Sequence, residues 1–491
     1  MTHQSPATVT VTSPPPAGRL EPDAIGVAQD TVIGMASAAP AVCVALTLAP
    51  IAAATAYASV PAIVLTGIPM LIIANAYRRL NMWNANCGAS FEWVGRSINP
   101  YLGFLTGWLM IAGYIIGAVA GVEVLGPSVL AVFTSSSGST WTLVAIATGI
   151  SLLMLVIAIV GIRITARTQV GMAAVEYVIL LGFAIVGLIA VLHHHPGTFP
   201  ITKSWFSISG IGGRGSLSLG LLLAVFIFSG WEGTLYVNEE TKHRRINPGR
   251  AAILAVVLLT IIYSISQLGL QGVVGPKQLQ AHSTSALVYV AQVLGGPNWS
   301  KVMALSLALS VIAATLTNIV LTSRIIYGMA SYRTLPGFLA TVSRRFATPV
   351  AASIVVGLLL IGLTVIYMLA NSVQGAFNSV IAVSGLLFGS FYVLTAIATV
   401  VYYRRRVVSG AWDALILGIL PILAALFLCW VIWQTVKGAP ASEIWSLVGV
   451  AVLGVVLMFA ARFILKSPFF HIQRESDRDP AERPRVGSHR R

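Results

Sequence analysis

The chain holds few residues that could do polar chemistry, and the most telling is a carboxylate between glycines. An apolar run from Leu217 to Phe228 meets Ser229, Gly230, Trp231, Glu232 and Gly233, then turns basic toward Arg250. Glycine weakens a helix, and an acid inside so apolar a stretch is tolerated mainly where it faces protein or a water-filled cavity. Two readings follow. One is a glycine packing notch with its glutamate hydrogen-bonded to a neighbouring helix; the other, favoured here, is a discontinuous helix whose freed backbone groups bind a polar substrate. A second irregularity lies near the start, where Gly34 to Ala39 are nearly all small, Pro40 removes a backbone donor and Pro50 follows. Alone, those small residues read equally well as a packing surface.

Other polar singletons are scattered. Glu123 falls far along its apolar run, where it is either an interfacial acid reaching water or a vestibule group attracting a cation. Glu176 lies two turns into another run, where Arg163 or Arg167 could partner it. The stretch around Thr315, Thr317, Asn318, Thr322 and Ser323 is dense in oxygen, so Thr317 and Asn318 are candidates for a hard-cation site, although hydroxyls in such helices more often bond their own backbone. Gln267 and Tyr263 are candidates for lining a path. His193, His194 and His195 are adjacent and lack metal-ligand spacing. Cys43, Cys87 and Cys429 lie far apart, suggesting neither a disulfide framework nor a metal knuckle. No nucleophile with a base and no metal cluster near one surface stands out, which argues against an enzyme; no cofactor or bound metal is expected.

The elements that must position these residues are membrane helices. Of 491 residues, 57% are hydrophobic and 9% charged, and mean hydropathy is +0.86, far too apolar for a soluble multidomain protein. Runs near or above the ~20 residues needed to cross a bilayer fall at 27–53, 58–77, 101–132, 141–160, 170–192, 217–238, 251–271, 302–328, 349–370, 377–403, 413–436 and 444–465. They predict an all-α polytopic membrane protein of twelve transmembrane helices. With this assignment 25 of the 30 Lys and Arg fall on one side and 5 on the other, which places both termini in the cytoplasm. The same asymmetry accounts for the net charge of +15 as topology, so no nucleic-acid partner is expected. Residues 1–24 and 467–491 read as disordered cytoplasmic tails.

The two irregularities then fall in the first and sixth spans. Breaks five spans apart are what two inverted five-span repeats would produce, with a substrate site at their interface. That divides the chain into a first repeat at 25–192, an extracellular loop at 193–216, a second repeat at 217–403 and two additional helices at 404–466. The short apolar piece from His282 to Gly296 is read as an external helix over the site.

Three segments carry a family resemblance. CGASFEWVGRSINPYLGFLTGW (87–108), FSGWEG with the following NEE (228–240), and LTSRIIYGMASYRTLPGFLATVSRRFATP (321–349) resemble signature stretches of the amino acid-polyamine-organocation superfamily. The resemblance runs from about Ile25 to about Arg406. It implies a leucine-transporter-like 5+5 inverted repeat with discontinuous helices 1 and 6. It also implies secondary transport of amino acids or related amines across a plasma membrane by alternating access, as symport or exchange. In that family the unwound first span receives a substrate carboxylate on backbone N–H groups, a role that falls here on Ala36, Ser37, Ala38 and Ala39, although MASAAP replaces the usual glycine-serine-glycine form. Carbonyls of Phe228 and Ser229, beside Gly230, would accept from the substrate amine. Phe226 and Trp231 are candidates for an aromatic wall or gate. Glu232 matches the family glutamate and could carry or sense a proton, and coupling to H+ or Na+ is left open. Some proton-coupled members place a lysine in the fifth span; none occurs here. A non-transporting membrane sensor is the alternative from another class, and the oligomeric state is left open.

Overall fold

A computed structural model describes residues 18–134, 138–207, 214–282, 286–370 and 373–476. The chain begins with α1 (Val27–Ser37), α2 (Pro40–Leu46) and α3 (Leu48–Thr55), then returns through α4 (Ser59–Trp83). A short α5 (Ser90–Ser97) precedes α6 (Pro100–Phe133), α7 (Thr140–Val160) and α8 (Ile162–Leu192). The second half holds α9 (Arg214–Phe228), α10 (Asn247–Ala281), α11 (Ala286–Gly295), α12 (Pro297–Ser331), α13 (Val350–Ala370) and α14 (Val373–Tyr402). The chain closes with α15 (Arg404–Val407), α16 (Ala411–Asp413), α17 (Leu420–Gly438) and α18 (Ala441–Phe459). Twelve stretches are long and apolar enough to cross a membrane, and the described residues form no strand beyond one isolated bridge between Ile25 and Thr241.

Both expected interruptions are present. Pro40 sits in the first turn of α2, where its missing N–H costs nothing, and Ala39 before it takes a left-handed φ of 47°. A non-glycine residue there costs about 1–2 kcal/mol, so surrounding contacts must hold it. On the other side α9 ends at Phe228, Gly230 turns at φ 111°, and the chain continues as 3-10 turns at Trp231–Leu235 and Asn238–Glu240. The span expected at 217–238 is thus discontinuous, as its residues imply: a glycine on each side of Glu232 leaves too little helix propensity to carry the α-helical ladder past Phe228.

Helix α12 is buried over most of its length and packs against α6, α7, α8 and α13. In contrast, α18 presents apolar side chains outward, among them Trp445, Val452 and Phe463 just beyond it, as a lipid-facing helix must. The piece expected to lie over the site appears as α11, against α10, α12 and α2; residues 283–285 of it lie outside the described residues.

The tails expected at 1–24 and 467–491 lie partly outside the described residues, at 1–17 and 477–491. The described parts are ordered, which corrects the expectation for them. Ala24 N donates to the Glu240 carbonyl at 2.8 Å and Lys242 N to that of Ile25 at 2.9 Å. At the other end Phe469 is fully buried, stacked on Phe91 with centroids 4.2 Å apart. It fills the space above Gly95, where a Cβ would meet its ring at 2.4 Å. Glu475 binds Arg96 at 2.6 Å. The charged, proline-containing composition of this tail concealed two aromatic anchors. Phe469→Ala empties a closed site and should lower unfolding stability by about 3–5 kcal/mol, seen as a lower melting temperature in detergent. An unchanged melting curve would show that residues 467–475 do not hold this position in solution.

Candidate functional site

The two breaks meet backbone to backbone. A Cβ on Gly230 would lie 2.8 Å from both the Ala38 nitrogen and the Ser37 carbonyl carbon, so the turn after α9 is pressed directly onto the turn after α1. Beside this junction lies a cavity of about 60 Å³, lined from the breaks by Ser37, Ala38, Ala39, Phe226 and Ser229. Helix α6 contributes Gly113, Tyr114, Gly117 and Gly121, α12 contributes Thr315 and Asn318, and α14 contributes Ser384 and Phe388. The lining contains hydroxyls, one amide and small residues but no Asp, Glu, Lys, Arg or His.

Of the expected binding residues, Ala36, Phe228, Gly230 and Trp231 do not line this cavity. Trp231 is fully buried behind it, stacked on Tyr392 with centroids 5.6 Å apart, so it is a packing residue rather than a wall or gate. Phe228 packs edge-on against Tyr263. Phe226 does border the space. It also lines a second cavity of about 940 Å³ that includes Pro50, Leu222, Gln280, Lys437 and Glu443, and so stands between the inner pocket and an outer vestibule.

The backbone donors differ from expectation. Ala38 N donates to the Met35 carbonyl and Ala39 N to that of Ala36, both at 3.1 Å, while Ala36 and Ser37 end α1 with helical geometry. All four amides expected to face a carboxylate are therefore taken within the chain, because without the glycines of the usual form the segment tightens into 3-10 turns instead of opening. The acceptors fare differently. Among the described residues, the carbonyls of Phe228 and Ser229 accept no backbone hydrogen bond, whereas the Ile227 carbonyl accepts from Tyr263 OH at 2.7 Å.

Glu232 lies behind the cavity, fully buried. Its Oε1 accepts from Tyr114 OH at 2.7 Å, and its Oε2 accepts from Tyr392 OH at 2.5 Å and from Gly230 N at 3.0 Å. The carboxylate thus caps the broken helix itself and reaches the pocket through Tyr114. Tyr114 and Tyr392 were missed in the sequence, since tyrosine in an apolar run carries no signal of its partner. The spacing of Gly113, Gly117 and Gly121, by contrast, puts three small residues on one helix face and was readable.

Glu176 does not pair with Arg163 or Arg167. Its Oε1 accepts from Ala41 N at 3.0 Å, capping α2 across the first break, and Arg163 instead binds Glu21. Of the candidate cation oxygens, Thr317 Oγ1 accepts from Gln169 Nε2 at 2.6 Å, and Gln169 Nε2 also donates to the Ala313 carbonyl at 2.8 Å, while Asn318 donates through Nδ2 to the Ala314 carbonyl. Of the two, only Asn318 lines the cavity. Gln267 lies off the path, donating to Gln271, which reaches the Tyr57 carbonyl. Glu123 is buried in α6 and lines neither cavity, with no hydrogen-bond partner on either oxygen among the described residues.

A buried polar cluster joins α12 to the segment after α4 and to the turns after the sixth-span break. Arg324 of α12 forms a two-pronged ion pair with Glu240, Nε to Oε2 and Nη2 to Oε1, each at 3.0 Å, and both side chains are fully buried. Asn238 Nδ2 bonds Asn81 Oδ1 at 2.8 Å and the Asn86 carbonyl at 3.0 Å, and Glu239 accepts from Cys87 N. Burial pushes the Glu239 carboxyl above the usual range. The partner of Arg324 lies 84 residues earlier in the chain, which turns this charge at the end of the eighth span into a buried bridge.

Two substitutions probe this arrangement. Gly230→Ala forces a Cβ into the first break at an unfavourable φ, and should abolish substrate-induced thermal stabilisation while the helix content by circular dichroism persists; normal ligand response would mean the junction yields. Arg324→Met alone leaves a buried carboxylate and should cost about 3–5 kcal/mol, whereas adding Glu240→Leu should restore most of it. A double variant no better than the single one would contradict this pairing.

The amino acid permease family model matches residues 29–462 of this chain. The Asc-type amino acid transporter 1 of Mus musculus is 28% identical over 229 residues, 47% of this chain and 42% of that protein, so the match spans less than half of the relative. The D-serine/D-alanine/glycine transporter of Escherichia coli K12 is 23% identical over 353 residues, 69% of this chain and 72% of that protein. The crystal structure of the Eremococcus coleocola manganese transporter in complex with an aromatic bis-isothiourea substituted compound superposes with a TM-score of 0.59 at 15% identity, covering 90% of this chain and 93% of that one, which establishes a shared leucine-transporter-like fold. With most of its length matched by the family model, this chain belongs to the amino acid permease family.

Proposed function

We propose that this protein carries small neutral amino acids across a plasma membrane by alternating access, holding the substrate between the two helix breaks. The observation that carries this reading is the pocket at their junction. Its volume of about 60 Å³ corresponds to roughly four to six water-sized groups, the scale of glycine, alanine or serine. The lining offers no fixed charge to balance a net cation or anion, which favours a zwitterion over an amine. Relatives named for transport of serine, alanine and glycine are consistent with that size. Membership of a permease family sets the chain among transport proteins rather than enzymes.

In this reading the substrate amine meets the open carbonyl of Ser229, which borders the pocket. The Ser37 hydroxyl, without a partner among the described residues, and the second N–H of the Asn318 amide would supply donors that the backbone of Ala36 to Ala39 does not, whereas the hydroxyls of Ser229, Thr315 and Ser384 already donate to the carbonyls of Phe226, Val311 and Gly113. The Arg324–Glu240 cluster closes the pocket on one side, and the pocket leads past Phe226 to the vestibule, the arrangement of a carrier shut toward one compartment. With the arginine-rich side and both termini in the cytoplasm, it is shut inward. Helices α1 to α4 with α9 and α10 would then move against α6, α7, α8 and α12.

Reconstituted vesicles test the proposal. Labelled glycine, alanine or serine should accumulate, and comparing a pH gradient, a sodium gradient and preloaded unlabelled amino acid separates proton symport, sodium symport and exchange. Saturable binding with no uptake under all three conditions would make the protein a sensor instead. Glu232→Gln should flatten the pH dependence of uptake, since the amide neither gains nor loses a proton; a profile matching wild type would remove the proton role from Glu232.

A further inference from the structure

The ends of three membrane-spanning segments bring five arginines together on one face of the protein. Arg78 and Arg79 lie one turn before the end of α4, Arg250 lies in the first turn of α10, and Arg404 and Arg405 follow α14 in α15. Their proximity is set by packing: a Cβ on Gly249 would meet Arg78 Cγ at 2.3 Å, and Tyr403 OH donates to the Arg79 carbonyl at 2.8 Å. The Arg78 guanidinium reaches only Asn75 Oδ1 of its own helix, at 3.1 and 3.2 Å, and the Arg79 Nε is buried with no partner among the described residues. Ion pairs among the described residues join Arg96, Arg163 and Arg324 to Glu92, Glu475, Glu21 and Glu240; none involves these five. A general excess of arginine on one side of the membrane explains why such residues occur here. It does not explain their convergence without a carboxylate, since like charges held together repel unless an anion lies between them.

The surroundings indicate what that anion is. Trp83, half-buried at the end of α4, stacks on Tyr402 with ring centroids 3.8 Å apart. An amphipathic aromatic pair at a helix end marks the headgroup level of a bilayer. We propose that this patch binds the phosphate headgroup of an anionic phospholipid. Guanidinium forks from α4, α10 and α15 engage phosphate oxygens, while the half-buried Trp83, backed by the buried Tyr402, faces the lipid backbone. Such a lipid ties the ends of three helices together from outside.

The full-length protein in neutral detergent, titrated with phosphatidylglycerol, phosphatidylcholine or inorganic phosphate, tests this by native mass spectrometry and thermal melting. Phosphatidylglycerol should remain bound and raise the melting midpoint; phosphatidylcholine and inorganic phosphate should not. Arg250, Arg404 and Arg405 are exposed, so their joint replacement by Gln spares the interior and should weaken phosphatidylglycerol binding by about fivefold per arginine. Equal retention of both lipids, unchanged affinity in the triple variant, or the same stabilisation by inorganic phosphate would overturn the proposal.

Discussion

The structure depends on one constraint: backbone polar groups released by a broken helix inside a membrane must find partners, because lipid supplies none. Two buried carboxylates meet part of that demand. Glu232 holds Gly230 N at the sixth-span break, and Glu176 holds Ala41 N at the first. Tyr263 adds a hydroxyl to the Ile227 carbonyl. The acids that look anomalous in an apolar sequence are therefore part of what makes the breaks tolerable, and of the carbonyls they leave unserved that of Ser229 borders the pocket.

The same economy explains how a pocket with no ionisable carboxylate or ammonium in its wall can sit among acids. Tyr114 lines the cavity and donates its proton to Glu232, so the carboxylate is felt through a neutral hydroxyl. A change at Glu232 would reach the substrate space by rotating Tyr114 or loosening Gly230, both of which touch the first break or the cavity. The buried ion pair follows another logic. Arg324 and Glu240 are each costly alone in a dry interior, and their two-pronged geometry makes the arrangement depend on both remaining together.

Much of the architecture was legible in the chain. Apolar length marks each crossing, and Pro40 and the glycines around Glu232 mark where crossings fail, since helix propensity is a property of the local segment. The atomic roles were less legible. Ala36 to Ala39 stand at the right place yet spend their amides on one another, because the donor count of a turn depends on how tightly it winds. Trp231 reads as a gate and packs as core. Thr317 reads as a cation ligand and accepts from Gln169, a residue 148 positions earlier.

By itself the sequence determined that this is a membrane protein of twelve spans with two broken helices placed as inverted repeats require, and which short segments mark its family. Only the tertiary structure decided which side chains serve the breaks: Tyr114 and Tyr392 for Glu232, Ala41 for Glu176, and Glu240 for Arg324. The physical reason lies in the solvent. In water a helix announces its inner face by apolar periodicity, but in a bilayer both faces are apolar. The rotation of each helix, and so the partner each polar group meets, is settled only when the helices pack.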